Sequence, residues 1–147
     1  MDAGERRCGL PARRFPCHHA PGGIGIWVSN SPDNRIGGAT PAARNIIAGN
    51  GITGVWINSE NADRNVVQGN FIGVDANGTG GLSNDYFAAV LIQNADDNLI
   101  GGTTAGARNV ISANHGDAVE ITGNGATGNV IAGNYIGVDP TNSIPLG

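Results

Sequence analysis

Four stretches of the chain share one arrangement of hydrophobic and polar positions: a small residue, then an apolar side chain at every second place. They read Gly25-Ile-Trp-Val, Gly54-Val-Trp-Ile, Ala89-Val-Leu-Ile and Ala118-Val-Glu-Ile, and they start at intervals of 29, 35 and 29 residues. Alternation of this kind predicts half-buried strands. A second strand, Asn-x-Ile/Val-x-Gly/Ala, follows in every interval, starting at Asn34, Asn65, Asn98 or Asn129; in the first and third intervals another follows at Asn45 and Asn109. Successive strand side chains point to opposite faces. The inward set is therefore Ile26, Val28, Val55, Ile57, Val90, Ile92, Val119 and Ile121 on the first strands, with Ile36, Ile47, Val67, Ile100, Ile111 and Ile131 on the others.

The intervals are halves of a longer repeat. Asn34-Arg-Ile-Gly-Gly38 returns as Asn98-Leu-Ile-Gly-Gly102, and Asn65-Val-Val-Gln-Gly-Asn-Phe-Ile-Gly-Val-Asp75 returns as Asn129-Val-Ile-Ala-Gly-Asn-Tyr-Ile-Gly-Val-Asp139, both at an offset of 64 with no gap. A supersecondary unit repeated in tandem buries its apolar face by stacking on its neighbours. The expected fold is an all-β, right-handed parallel β-helix of about four coils. Residues 22–85 and 86–147 form its two tandem copies, and residues 1–21 a non-repeat leader that is a candidate N-terminal cap. Stacking pairs like with like in aliphatic columns, each side chain contributing ~1.5–3 kcal/mol before chain entropy is subtracted. Asparagines at the strand starts should form matching ladders, being tolerant of left-handed backbone and able to hydrogen-bond the turn above or below.

Three strings, Asn-x-Ile-Gly-Gly, Ala107-Arg-Asn-Val-Ile-Ser-Ala-Asn114 and Gly133-Asn-Tyr-Ile-Gly-Val-Asp139, resemble the right-handed parallel β-helix repeats of large secreted bacterial proteins, related in fold to pectate lyases and polygalacturonases. The resemblance spans about residues 22–147. It implies the fold, and an extracellular or cell-surface parent protein, without fixing an activity, because one fold hosts many functions.

Composition adds constraints. Glycine supplies 25 of the 147 residues, charged residues 14% and aromatics 5%, and lysine is absent. No apolar run approaches the length of a membrane-spanning helix, so no membrane partner is expected. The net charge of −4 conceals an asymmetry, since Arg6, Arg7, Arg13 and Arg14 fall in the leader. The acidic remainder argues against nucleic acid as a partner. Cys8 and Cys17 are spaced for one bridge and, with His18 and His19, match no zinc pattern. The leader lacks the apolar centre of a signal peptide. At the other end the pattern stops just before a fifth inward strand. The chain therefore reads either as a piece of a longer solenoid or as one whose leader folds over the first coil while its other end docks against a second copy, and either reading predicts association through the uncapped C-terminal coil.

Candidate chemistry lies on outward positions. Trp27, Trp56, Leu91 and Glu120 occupy one column, on rungs ~4.8 Å apart, and exposed indoles suit the C–H faces of sugars. At the turn before the second strand, Asp33, Arg64, Asp97 and Gly128 form another column, with Pro32, Asp63, Asp96 and Thr127 beside it. The first suggests an ion-pair ladder. In the second, Asp63 and Asp96 fall about one rung apart, near the ~5–5.5 Å of a retaining glycosidase pair. Against the polygalacturonase pattern the chain offers Asp96-Asp97 and Asn114-His115-Gly116, but no Arg-x-Lys. Against the pectate lyase pattern, Arg44 and Arg108 occur, each before an Asn of the repeat. Asp75-Ala-Asn-Gly-Thr-Gly resembles the start of a calcium loop without its closing Glu, so no cofactor is expected beyond a weak case for Ca2+, and no other metal.

Three functions follow. The first is a polysaccharide-interacting module using Trp27, Trp56, Leu91 and Glu120. The second is a structural solenoid segment of a larger surface protein. The third is a small glycan-cleaving enzyme, hydrolase or lyase, drawing on Asp63, Asp96, Glu120 or His115.

Overall fold

The computed structural model describes residues 23–147; the leader, with Cys8, Cys17, His18 and His19, falls outside the described residues. The chain winds as a parallel β-helix of four coils, each contributing one strand to each of three sheets. A long sheet holds β1 (Ile24–Ser29), β4 (Thr53–Asn58), β7 (Ala88–Gln93) and β10 (Asp117–Thr122). A second holds β2 (Arg35–Gly37), β5 (Val66–Gln68), β8 (Leu99–Gly101) and β11 (Val130–Ala132). A third holds β3 (Ile46–Ile47), β6 (Phe71–Ile72), β9 (Val110–Ile111) and β12 (Tyr135–Ile136). All pairings between coils within these sheets are parallel.

The inward columns stack as the alternation dictates. Ile26, Val55, Val90 and Val119 are in register, as are Val28, Ile57, Ile92 and Ile121. Ile36, Val67, Ile100 and Ile131 follow on the second sheet. In the two middle coils these side chains are fully buried; in the last coil Ile121, Ile131 and Ile136 point inward yet remain 39%, 45% and 50% exposed. The small residue at the head of each long strand fits a tight corner. A Cβ on Gly25 would lie 2.6 Å from the Gly54 carbonyl oxygen and 2.7 Å from Asn50 Nδ2.

Two expectations are corrected. The third strand is present in all four coils, not only the first and third: β6 and β12 complete the third sheet, with Ile47, Ile72, Ile111 and Ile136 in register. The coils differ in where they spend their length. The first and third interpose a loop with a 3-10 turn (Pro41–Ala43, Ala105–Ala107) before the third strand. The second and fourth enter it almost directly and place their extra residues afterwards, in turns closed by the antiparallel bridges Val74–Gly81 and Val138–Pro145.

The second correction concerns asparagine. Three ladders run along the axis, formed by Asn34, Asn65, Asn98 and Asn129, by Asn45, Asn70, Asn109 and Asn134, and by Asn50, Asn84 and Asn114. Their geometry repeats. The backbone N–H of Asn34 and its Nδ2 both donate to Asn65 Oδ1, at 2.8 and 2.9 Å, and Asn98 does the same to Asn129 at 2.9 and 3.0 Å. None of these asparagines is left-handed. In the first ladder that conformation belongs to the preceding residue, Asp33 (φ 61°), Arg64 (53°), Asp97 (56°) or Gly128 (66°). What the ladder uses is the amide, which offers an acceptor and two donors on one short side chain.

Candidate functional site on the outward face

Residues two apart on the long strands share a face, so the outward face of the long sheet carries two neighbouring columns. One is Trp27, Trp56, Leu91 and Glu120; the other is Ser29, Asn58, Gln93 and Thr122. The rung spacing is narrower than an indole, and the tryptophans accordingly stack instead of lying side by side. Their ring centroids are 5.9 Å apart with planes inclined at 25°. Trp27 is 62% exposed and Leu91 only 4%; Trp56 and Glu120 fall between. The open part of the column is thus the Trp27 indole and the accessible part of Trp56, with Leu91 closed over. Trp56 Nε1 is shielded and has no acceptor, a deficit of about 1–3 kcal/mol for a buried donor. In the polar column Asn58 Nδ2 donates to Gln93 Oε1 at 2.7 Å, which leaves Asn58 Oδ1 and Gln93 Nε2 facing outward chemistry.

The carboxylates of the turn after the long strands are largely engaged. Arg64 makes a two-pronged pair with Asp33, Nε to Oδ1 at 2.9 Å and its second nitrogen to Oδ2 at 3.0 Å. These bonds hold the Asp33 carboxyl below its ordinary range. Asp97 acts on Arg64 through charge alone. Asp63 Oδ1 accepts the backbone N–H of Asp96 at 2.8 Å, and Asp96 Oδ1 accepts the N–H and hydroxyl of Thr127 at 2.7 and 3.1 Å. Each of these two acids thereby bonds the backbone one coil on, as the ladder amides do.

His115 is elsewhere. It precedes β10, whereas Asp96 follows β7, so the six-residue length of a long strand, on the order of 20 Å, separates them. Its Nδ1 lies 3.2 Å from Asp85 Oδ1 and 3.4 Å from Ser83 Oγ. Both contacts fall on the same nitrogen, so this Ser–His–Asp grouping lacks the two-nitrogen relay of a nucleophilic triad. Glu120 stands on β10 with no hydrogen bond to Asp63, Asp96 or His115.

Arg44 and Arg108 cover aromatic rings on the next coil. The Arg44 guanidinium lies 4.0 Å from the Phe71 centroid while its Nε donates to the Gly69 carbonyl at 3.1 Å; Arg108 lies 5.2 Å from the Tyr135 centroid. Asp75, which heads the calcium-like string, uses Oδ1 to accept the N–H groups of Asn77 and Thr79, both at 3.1 Å. Asp139 closes the equivalent turn, with Oδ2 accepting the Thr141 hydroxyl at 2.6 Å and Oδ1 the N–H groups of Ser143 and Ile144 at 2.8 Å. The Thr141 hydroxyl and these amides lower the Asp139 carboxyl to about 2. At Asp75 burial pushes upward, but its own turn's amides outweigh it and the net shift is also down. Among the described residues no group of three or more His, Cys, Asp or Glu is placed to hold a metal ion.

Sequence reasoning placed the outward tryptophans correctly and overlooked the polar column beside them. Its sign was available: Asn58 and Gln93 each end a long strand two residues after the Trp or Leu of the outward column. Comparison with family models, with curated proteins and with solved structures finds no match to the chain.

Proposed function

We propose that the chain is a polysaccharide-interacting β-helix module, with Trp27 and Trp56 as its stacking surface. The observation that carries this reading is the 62% exposure of Trp27 on a regular parallel sheet. An exposed apolar patch rimmed by polar residues marks a binding surface, and sugars present apolar C–H faces with hydroxyls around the rim, which suits stacked indoles with Ser29 and Asn58 in the column beside them. The test is retention on insoluble polysaccharides such as cellulose, xylan and mannan. Trp27→Ala combined with Trp56→Ala should weaken retention at least about tenfold; equal retention of variant and parent on every matrix sinks the reading.

A second reading is a structural solenoid segment of a larger surface protein, self-associating through the last coil, where Ile121, Ile131 and Ile136 are 39%, 45% and 50% exposed. Catalysis finds less support, because Asp63 and Asp96 already bond the neighbouring coil and His115 lies at the far end of the strands. Reducing-end and unsaturated-product assays on pectin, xylan and cellulose would reveal it.

A further inference from the structure

The chain holds eighteen asparagines, of which eleven build the ladders. Five of the other seven, Asn30, Asn58, Asn61, Asn94 and Asn124, line one open groove of about 480 Å³ together with Glu60. The groove crosses the turns that follow β1, β4, β7 and β10, so every coil contributes to it. Asn58 belongs equally to the outward face of the long sheet, two residues from Trp56, which makes the groove continuous with the aromatic surface. Whereas each ladder amide is bonded, the side chains of Asn30, Asn61, Asn94, Asn124 and Glu60 make no hydrogen bond to any other described residue.

Two properties of this surface select a ligand. An unpaired amide presents donors and an acceptor together, which matches a hydroxyl, itself both donor and acceptor. The unpaired charge near the groove is of one sign: Glu60 lines it, Asp63, Asp96 and Asp97 follow within three residues of its asparagines Asn61 and Asn94, and Arg64, the cation of these turns, is already paired with Asp33. An anionic sugar brought here would meet uncompensated carboxylates. Four rungs span roughly 14 Å, room for about three sugar residues, since a pyranose is about as long as one rung.

We propose that this asparagine groove and Trp27 form one extended site for an uncharged glycan, recognised by amide-to-hydroxyl bonds in the groove and stacking on the indole, and that uronate chains are excluded. The proposal rests on the polysaccharide reading above and narrows it. It sets the chain apart from the acidic substrates on which pectate lyases and polygalacturonases act.

The experiment is calorimetric titration of the full chain with soluble oligosaccharides from β-glucan, xylan and mannan, and with oligogalacturonate of matched length. At least one neutral oligosaccharide should bind with an affinity that changes less than about twofold between low and high salt, and oligogalacturonate should not bind. Asn61→Ala with Asn124→Ala, both on exposed turns, should weaken the neutral ligand about tenfold at an unchanged thermal midpoint. Tighter binding of oligogalacturonate overturns the neutral-glycan assignment and leaves the Trp reading standing. So does a neutral ligand lost with Trp27→Ala but indifferent to the asparagine pair. Failure of every sugar to bind overturns both.

Discussion

Inside the coils, equivalent positions carry the same chemistry; on the outward face of the long sheet they do not. Down the second ladder the residues are Asn45, Asn70, Asn109 and Asn134, and each touches the next. Down the outward column they are Trp27, Trp56, Leu91 and Glu120, equally in register. An inward residue has its own counterpart as neighbour, so a change in one coil leaves a partner unmatched in two others. An outward residue has solvent or a ligand as neighbour and is free to differ. In a solenoid, repetition therefore marks what holds the coils together, and departures from it mark where something else is met.

The largest test of this contrast is Asn109→Ala. Asn109 is fully buried, accepts from Asn70, and donates to the Val67 carbonyl and Asn134. Its loss removes hydrogen bonds from groups on the second and fourth coils and should cost about 3 kcal/mol or more in chemical denaturation. The next sharpens the contrast within the outward column itself. Leu91→Ala, at a closed-over position, should cost about 2 kcal/mol, while Trp27→Ala should cost less than about 1 kcal/mol, mostly its stacking on Trp56. Equal costs would mean that the two positions are not, respectively, structure and surface.

The smallest effect concerns a repeated residue of the turns after the third sheet. Asp139 has its carboxyl lowered to about 2 by Thr141 and the turn amides. A depressed folded value means the carboxylate stabilises the fold above its unfolded range near pH 4. That contribution is lost as the pH falls through about 2. Thermal midpoints of the parent and of Asp139→Asn should accordingly differ above pH 4 and converge towards pH 2. Curves that stay parallel across that window would contradict the assignment.

Much of the fold was legible because it rests on period-two alternation and an ungapped repeat, both one-dimensional properties. The missed third strand of the second and fourth coils shows where legibility ends. Phe71 and Tyr135 replace the aliphatic residue found at Ile46 and Val110, and the Arg44 and Arg108 guanidiniums that cover them come from the preceding coil, so no local window contains both halves of the pattern. The outward column was legible as a register, but not the closure of Leu91, nor the slipped stack of the indoles, which depends on rung spacing against ring width. The asparagine groove was hidden for a different reason: eleven structural asparagines mask Asn30, Asn61, Asn94 and Asn124, whose side chains bond no described residue.

The aliphatic columns consist almost wholly of Ile and Val, so they pack nearly as well after a slip of two residues, which keeps every inward side chain inward. The ladders do not. A two-residue slip carries each Oδ1 away from the backbone N–H it serves, in three ladders at once. The hydrophobic interior thus stabilises a stack of coils without choosing among alignments, and asparagine specifies the alignment. Misregistered coils, more than unfolded ones, are the error this fold is built to reject.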